Sequence, residues 1–210
     1  MRIFLFSLLL FAWVRCKEAE KNFDYGKIEN GVYTNDYFDF NIPVPQNWDV
    51  RNDEQVQQLQ KKGSGLISGN NKELEAKIDQ ADVNTVVLLT VFENKEDTTA
   101  VKFNPSFILL CENLQGPPDI KKGKDYLDHA KYLMQQSKMP YQFTPEYFTE
   151  KVGNKEFDRM DAVLDGQMGG IQQSYYSIID KGYALSIIIS FVDADQKTEL
   201  KEIMNKIKFK

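Results

Sequence analysis

The sequence predicts an α+β fold, with one largely antiparallel sheet of about six to eight strands and helices packed on both of its faces. Two continuous apolar runs, Thr85–Phe92 and Phe107–Cys111, are rich in β-branched and aromatic residues and are typical of central strands covered on both faces. Further strand candidates follow residue 140 and are joined by short turns that contain glycine, which favours antiparallel pairing. Amphipathic segments between and after these runs supply the helices.

Two short strands are predicted before the central pair, at 31–36 and 37–42. The second alternates Phe38, Phe40 and Ile42 with polar neighbours, as a half-buried strand does. The prolines that follow residue 42 are expected to end the pairing.

Three helices are predicted in the middle of the chain. The first covers 54–62 and is expected to end at the glycines of 63–65, and the second covers 71–81. Both have narrow apolar stripes, so we expect them to lie against the surface of the sheet. The third begins near Asp125, which can cap it, and runs to about Lys138.

The last third of the chain predicts an antiparallel meander and a closing helix. The meander has four strand candidates: Tyr141–Thr149, Lys155–Asp165, Gln172–Asp180 and Tyr183–Val192. In the last of these, bulky and small side chains alternate, so we expect the bulky ones to fill the core and the small ones to admit a closely packed helix. That helix should be the closing one, where Asp193 and Gln196 can form a capping pair and Leu200, Ile203 and Met204 form an apolar stripe.

The composition excludes several classes of protein. The 210 residues carry a net charge of −5, which argues against broad contact with nucleic acid phosphates. One histidine and two cysteines supply too few ligands for most zinc sites and too few thiols for a disulfide scaffold. The sequence has no P-loop, dinucleotide-binding or Gly-x-Ser-x-Gly motif, so no cofactor is expected.

Residues 1–16 have the architecture of an export signal. Arg2 precedes an apolar run at 3–14, and a charged stretch follows. As a helix this run spans about 18 Å, which is short of the ~30 Å hydrocarbon core of a bilayer. The leader therefore predicts export and not a membrane span.

Cys16 directly follows the leader and resembles the cysteine that carries lipid in bacterial lipoproteins. Arg15 departs from the lipoprotein pattern, so a soluble secreted or periplasmic form is the alternative, although the Ala-x-Ala cleavage site that such a form requires is not found nearby. With lipid on Cys16, Cys111 is a small core residue; a disulfide between the two is the other possibility. Residues 17–30 are expected to form a flexible tether, and 31–210 a single α+β domain.

Three stretches carry a family resemblance: the opening 33–43 with Trp48, the hairpin at 180–185 and the closing 207–209. They resemble the PsbP-like family of small exported or organellar α/β/α domains. The segment 53–82 departs from that family's shorter link. The resemblance implies an α/β/α sandwich that serves as a non-catalytic accessory domain.

Candidate catalytic carboxylates lie on the second strand of the meander and its turn. Asp158, Asp161 and Asp165 are close in sequence, but strand alternation places Asp158 and Asp161 on opposite faces, which disfavours a paired acid and base. Asp193 and Asp195 with Glu199 lack the glycine and the loop length of a calcium loop, and helix capping explains them. No metal site is expected.

The remaining candidates are one histidine and a group of tyrosines. His129 lies within the third predicted helix with no nucleophile motif beside it, so we interpret it as structural. Tyr175, Tyr176 and Tyr183 could form an aromatic patch for a partner. Because adjacent residues of a strand face opposite ways, at least one of Tyr175 and Tyr176 is expected in the core.

These observations predict an exported, lipid-anchored and non-catalytic binding or accessory module of the bacterial cell envelope. Its partner would be an envelope protein or a small ligand, and the anchor would hold it at the membrane. The alternative is an envelope hydrolase with an acidic Asp or Glu site. A deep pocket where carboxylates converge with raised pKa values favours the hydrolase, whereas a surface with an apolar patch favours binding.

Overall fold

The computed structural model describes residues 22–95, 103–114, 119–137, 139–166 and 170–210. The leader, the lipidation candidate Cys16 and most of residues 166–170, where one of the glycine-containing turns between the predicted strands falls, lie outside these residues. The helices are α1 (Asp53–Ser68), α2 (Lys72–Asn84), α3 (Gly123–Gln136) and α4 (Ala194–Asn205). The strands are β1 (Lys27–Glu29), β2 (Val32–Asn35), β3 (Phe40–Pro43), β4 (Asp49–Val50), β5 (Thr85–Phe92), β6 (Ser106–Asn113), β7 (Tyr141–Phe143), β8 (Phe148–Val152), β9 (Lys155–Leu164), β10 (Ile171–Asp180), β11 (Tyr183–Phe191) and β12 (Lys208–Phe209).

The main sheet has eight strands in the order β4-β5-β6-β11-β10-β9-β7, with β8 also paired to β9. All of its pairs are antiparallel. The predicted central strands are confirmed as β5 and β6, which lie side by side. The prediction of one strand at 141–149 is wrong, because this segment forms two strands, β7 and β8. The chain leaves the sheet after Phe143 and returns at Phe148, and Pro145 lies in the segment between them.

A second, four-stranded sheet, in the order β1-β2-β3-β12, was not predicted. The β2 and β3 strands overlap the two short strands predicted at 31–36 and 37–42, but they pair with each other and with β1 and β12, and not with the main sheet. In the last pair Phe209 lies opposite Phe40. The fold class is nevertheless confirmed: an α+β protein with an antiparallel sheet of eight strands and helices on both faces.

The bulky face of the main sheet packs against α4 and the second sheet. Leu185, Ile187 and Ile189 of β11 share one buried cluster with Leu200 and Met204 of α4. The prediction that α4 packs on the small-residue face is therefore wrong. Bulky side chains from both layers fill the space between the sheet and α4, whereas the other face lies under the remaining helices. The predicted capping pair is confirmed, since Asp193 Oδ1 accepts from the Gln196 amide at 2.9 Å.

The opposite face of the sheet carries α3, which packs Leu127 and Met134 against Met160. This helix begins earlier than predicted, at Gly123, and Asp125 caps it from inside the first turn by accepting from the amides of the two residues before Gly123, both at 3.0 Å. Gly123 lies against the Ser177 carbonyl of β10, where a side chain would overlap the backbone. The absence of a Cβ lets α3 approach the sheet this closely.

The α1–α2 hairpin lies on the same face as α3 and buries little of its surface. Ser68 is the buried residue of α1 and Leu74 that of α2. The predicted end of α1 at 63–65 is wrong, because the helix continues to Ser68 and is capped by Gly69 with φ of 53°. Isolated glycines lower helix stability without ending a helix. No described helix is both long enough and apolar enough to cross a membrane.

Part of the predicted tether belongs to the folded body. The Phe23 ring lies 5.2 Å from that of Tyr37 and 5.4 Å from that of Tyr183, between ring centroids. The β1 strand pairs with β2 over Lys27–Glu29. Aromatic packing therefore fixes the chain from Phe23 onward, and a tether ending at residue 30 is too long by these residues.

Candidate functional site

The α1–α2 hairpin, α3 and the small-residue face of the main sheet enclose a cleft of about 300 Å³, here called the apolar cleft. Each element contributes apolar side chains to its lining, among them Ile67, Ile78, Ala81, Ala130, Leu110 and Ile188. Three of its lining residues have short side chains, which leave room between the layers. Ala81 and Ala130 face it from the helices, and Ser186 faces it from β11.

The size of the apolar cleft suits a small ligand. Ligand sites in proteins begin at about 300 Å³. A dry cavity of about 150 Å³ lined by aliphatic and aromatic side chains is known to bind benzene. The apolar cleft therefore has room for a hydrocarbon group about twice that size.

Tyrosines line one side of the apolar cleft, but their hydroxyls are bonded within the protein. Tyr126 donates to Glu112 Oε2 at 2.9 Å and Tyr175 donates to Gln173 Oε1 at 2.7 Å. The Tyr176 side chain lies on the bulky face of the sheet, where its hydroxyl accepts from Lys201 Nζ at 2.8 Å. Burial raises the pKa of Tyr126 and of Tyr175 well above the usual value, so both stay neutral. The cleft therefore offers a ligand mostly carbon surface.

One end of the apolar cleft is acidic. Glu112 lies two residues after Leu110 on the same face of β6, and Asp82 follows Ala81 on α2. Burial raises the pKa of Glu112, and the Asp82 carboxylate adds to this, against the hydrogen bond from Tyr126 and the electrostatic effect of His129. Asp82 is exposed, but partial burial of its carboxylate raises its pKa, against a hydrogen bond from Ser64 at 3.3 Å.

The carboxylates singled out from the sequence do not converge. Asp158 accepts from the Lys124 amide at 2.8 Å, Asp161 pairs with Arg159 Nη2 at 3.1 Å, and Asp165 accepts from Gln142. Register places Asp158 opposite Ser177 and Asp161 opposite Ser174, which confirms that they lie on opposite faces. Among the described residues, no three His, Cys, Asp or Glu side chains are grouped so that they could hold a metal ion.

The other candidates fall in separate places. Cys111 is fully buried in the core, as predicted, and burial raises the pKa of its thiol to about 12. Tyr176 is fully buried, as the alternation predicted for at least one of the pair, while Tyr175 lines the apolar cleft. Tyr183 packs on Phe23. His129 is exposed on α3 and acts electrostatically on Glu112.

A cluster of charges on the bulky face of the sheet is structural. Glu150 accepts from Lys201 and, at 2.7 Å, from Arg159 Nη1. Burial alone would raise the pKa of Glu150, but these two hydrogen bonds outweigh it and lower the pKa. The Arg159 guanidinium also lies 4.5 Å above the Phe148 ring centroid. The cluster joins β8, β9 and α4.

A second cleft of about 320 Å³ lies between β1 and the start of α1. Its lining includes the charged residues Lys27, Arg51 and Asp53. Arg51 pairs with Asp49 at 3.1 Å and lies over the Phe92 ring. This cleft lacks the continuous carbon surface of the apolar cleft, which is therefore the better candidate for a ligand site.

No protein-family model and no curated protein matches the chain. Similar solved structures include LpqN, which is involved in cell envelope biogenesis of Mycobacterium tuberculosis, at 13% identity and a TM-score of 0.43, over 80% of this chain and 82% of that one. A cyanobacterial PsbP from Synechocystis is similar at 10% identity and a TM-score of 0.45, over 88% and 96%. A Pseudomonas aeruginosa protein of unknown function is similar at 10% identity and a TM-score of 0.39, over 58% and 78%. The resemblance to PsbP extends to the fold alone.

Proposed function

We propose that this protein is an exported binding module of the bacterial cell envelope, and that its apolar cleft holds the hydrocarbon part of a small ligand. The observation that carries the proposal is the lining of the cleft, in which aliphatic side chains surround about 300 Å³ and the hydroxyls of Tyr126 and Tyr175 are bonded to protein partners. Such a lining favours apolar groups and gives little to bind a polar substrate.

Filling the apolar cleft should abolish binding of an apolar probe. We expect N-phenyl-1-naphthylamine to gain fluorescence with the wild-type protein, and its affinity to fall at least about tenfold in Ala81→Phe and in Ala130→Phe, because the new ring occupies the ligand's space. Ala76→Phe places the same ring on the exposed side of α2 and should bind as the wild type does. Thermal unfolding of each variant checks that it is folded.

Equal affinities in all three variants would place the probe elsewhere and contradict the proposal. Absence of any fluorescence gain with the wild type would contradict it as well. Two lining positions on different helices are used because either ring alone could displace its own helix.

The envelope location rests on the leader and on Cys16. We propose that Cys16 carries the lipid and that the body is held at the membrane, with a soluble exported form as the alternative. Metabolic labelling with a fatty-acid analogue should mark the wild-type protein and leave Cys16→Ala unmarked. Labelling that persists in Cys16→Ala, or is missing from the wild type, would remove the anchor from the proposal. We also propose that the protein belongs to the PsbP-like family, because of residues 33–43 with Trp48, the hairpin at 180–185 and the closing residues 207–209.

The second candidate function is hydrolysis, and the acidic end of the cleft favours it. Glu112 and Asp82 interact there and both have raised pKa values, as an acid catalyst requires. The carbon lining is the reason we prefer binding, since a scissile polar bond and a water molecule would find few partners in it. Release of p-nitrophenol from p-nitrophenyl decanoate that is lost in Glu112→Gln would support the hydrolase.

A further inference from the structure

The position of Glu112 fixes what lies at the end of the apolar cleft. Leu110 lines the cleft, and Glu112 projects from the same face of β6 one pleat further along. Tyr126 also lines the cleft, and its hydroxyl donates to Glu112 Oε2 at 2.9 Å. The carboxylate is therefore one hydrogen bond away from the carbon lining.

Three acidic side chains interact at this end of the cleft. From α2, Asp82 raises the pKa of Glu112, and Asp79 in turn raises that of Asp82. From α3, the hydrogen bond from Tyr126 and the electrostatic effect of His129 both lower the pKa of Glu112. Within the described part of the chain, no lysine or arginine is among the groups found to act on Glu112. A carboxylate has about four acceptor positions, of which Tyr126 uses one.

We propose that the ligand is an amphiphile with a cationic amine head group, an inference that rests on the proposed function. Its hydrocarbon tail lies between the α1–α2 hairpin and α3, and its ammonium group lies against Glu112 and Asp82. A fatty acid would instead bring its carboxylate against two carboxylates, so the same end that attracts an amine repels an acid.

Three ligands with one tail and different heads test the proposal: decylamine, decanol and decanoate, each displacing N-phenyl-1-naphthylamine from the full chain. We expect decylamine to displace the probe at about tenfold lower concentration than decanol, because a hydrogen bond to a charged partner is worth that much or more. Decanoate should be the weakest of the three. The preference for decylamine should shrink as salt is added.

Two variants test whether Glu112 and Asp82 cause the preference for decylamine. Glu112→Gln keeps an acceptor for the Tyr126 hydroxyl but removes the negative charge. The affinity for decylamine should therefore fall about tenfold, while the affinity for decanol stays unchanged. Asp82→Asn should reduce the preference in the same direction. Glu202→Gln makes the same charge change on the exposed surface of α4, over the opposite face of the sheet. It should leave the affinities for all three ligands as they are in the wild type.

The outcomes separate this inference from the proposed function. If the three ligands bind alike, or if the preference for decylamine persists in both Glu112→Gln and Asp82→Asn, the inference is overturned. The proposed function would still stand in that case provided that Ala81→Phe abolishes binding. If none of the ligands binds, or Ala81→Phe binds them normally, both proposals fail.

Discussion

Gly123→Ala should lower the free energy of unfolding by about 3 kcal/mol, near the upper end of the usual cost of overpacking. The new methyl group would overlap the Ser177 carbonyl oxygen and lie 2.6 Å from its carbon, and both are backbone atoms of β10 in the middle of the main sheet. Because β10 is paired with β11 on one side and with β9 on the other, we expect α3, and not the sheet, to shift away from the overlap. Because α3 forms one wall of the apolar cleft, probe binding should weaken in the same variant. Urea denaturation followed by circular dichroism measures the loss.

Gly63→Ala and Gly65→Ala are the matched controls. Both glycines lie within α1, and a methyl group at either position meets no atom within 4 Å. Alanine favours a helix interior over glycine by about 1 kcal/mol, so each control should gain stability where Gly123→Ala loses it. If Gly123→Ala unfolded at the same urea concentration as the wild type, the close approach of α3 to β10 would be disproved.

Arg159→Met should cost about 2 kcal/mol of unfolding free energy, which is less than the usual loss for a fully buried ion pair because a fifth of the Arg159 side chain is exposed. Arg159 pairs with Glu150 and with Asp161, and Asp161 Oδ1 is buried without a hydrogen bond. Methionine replaces the stem of the arginine and removes both ion pairs. Glu150 would keep Lys201, whereas Asp161 would lose the cation paired with it.

Two further variants identify the cause of that loss. Arg159→Met combined with Asp161→Asn should recover about half of it, because the asparagine side chain carries no charge to desolvate. Lys27→Met breaks the exposed pair with Glu29 and should leave the stability close to that of the wild type. An Arg159→Met protein as stable as Lys27→Met would mean that the charge cluster is solvated and does not hold β8 and β9 to α4.

The elements that the sequence predicted well are those whose signal is local. The β5 strand has the predicted bounds, because an unbroken apolar run flanked by polar residues leaves no other placement. Asp193 and Gln196 cap α4 as predicted, because capping depends on residues three positions apart.

The elements that it predicted poorly depend on contacts distant in sequence. Alternation along β11 correctly separated bulky from small side chains, but it cannot tell which helix covers which face. That choice depends on Phe38 and Phe40, which join the core beside α4. Similarly, nothing near Gly123 in the sequence indicates that Ser177 lies against it.

The apolar cleft itself was missed for a physical reason. Ile67 and Ile78 line the apolar cleft. The apolar stripes of α1 and α2 are narrow, as in helices that lie on a surface, and therefore do not indicate that a cleft lies beneath them. Glu112 is the last but one residue of a strand, where an acidic side chain is ordinarily solvated. Only the three-dimensional arrangement places it beside a carbon-lined space.

The pairing of β12 with β3 bears on how the protein is made. The second sheet takes strands from both ends of the described chain, so it stays incomplete until the ribosome has reached residues 208–209. Pairing between segments so distant in sequence is slow, since the loop between them must close first. The second sheet would consequently be completed after the main sheet, whose strands all lie within residues 49–191.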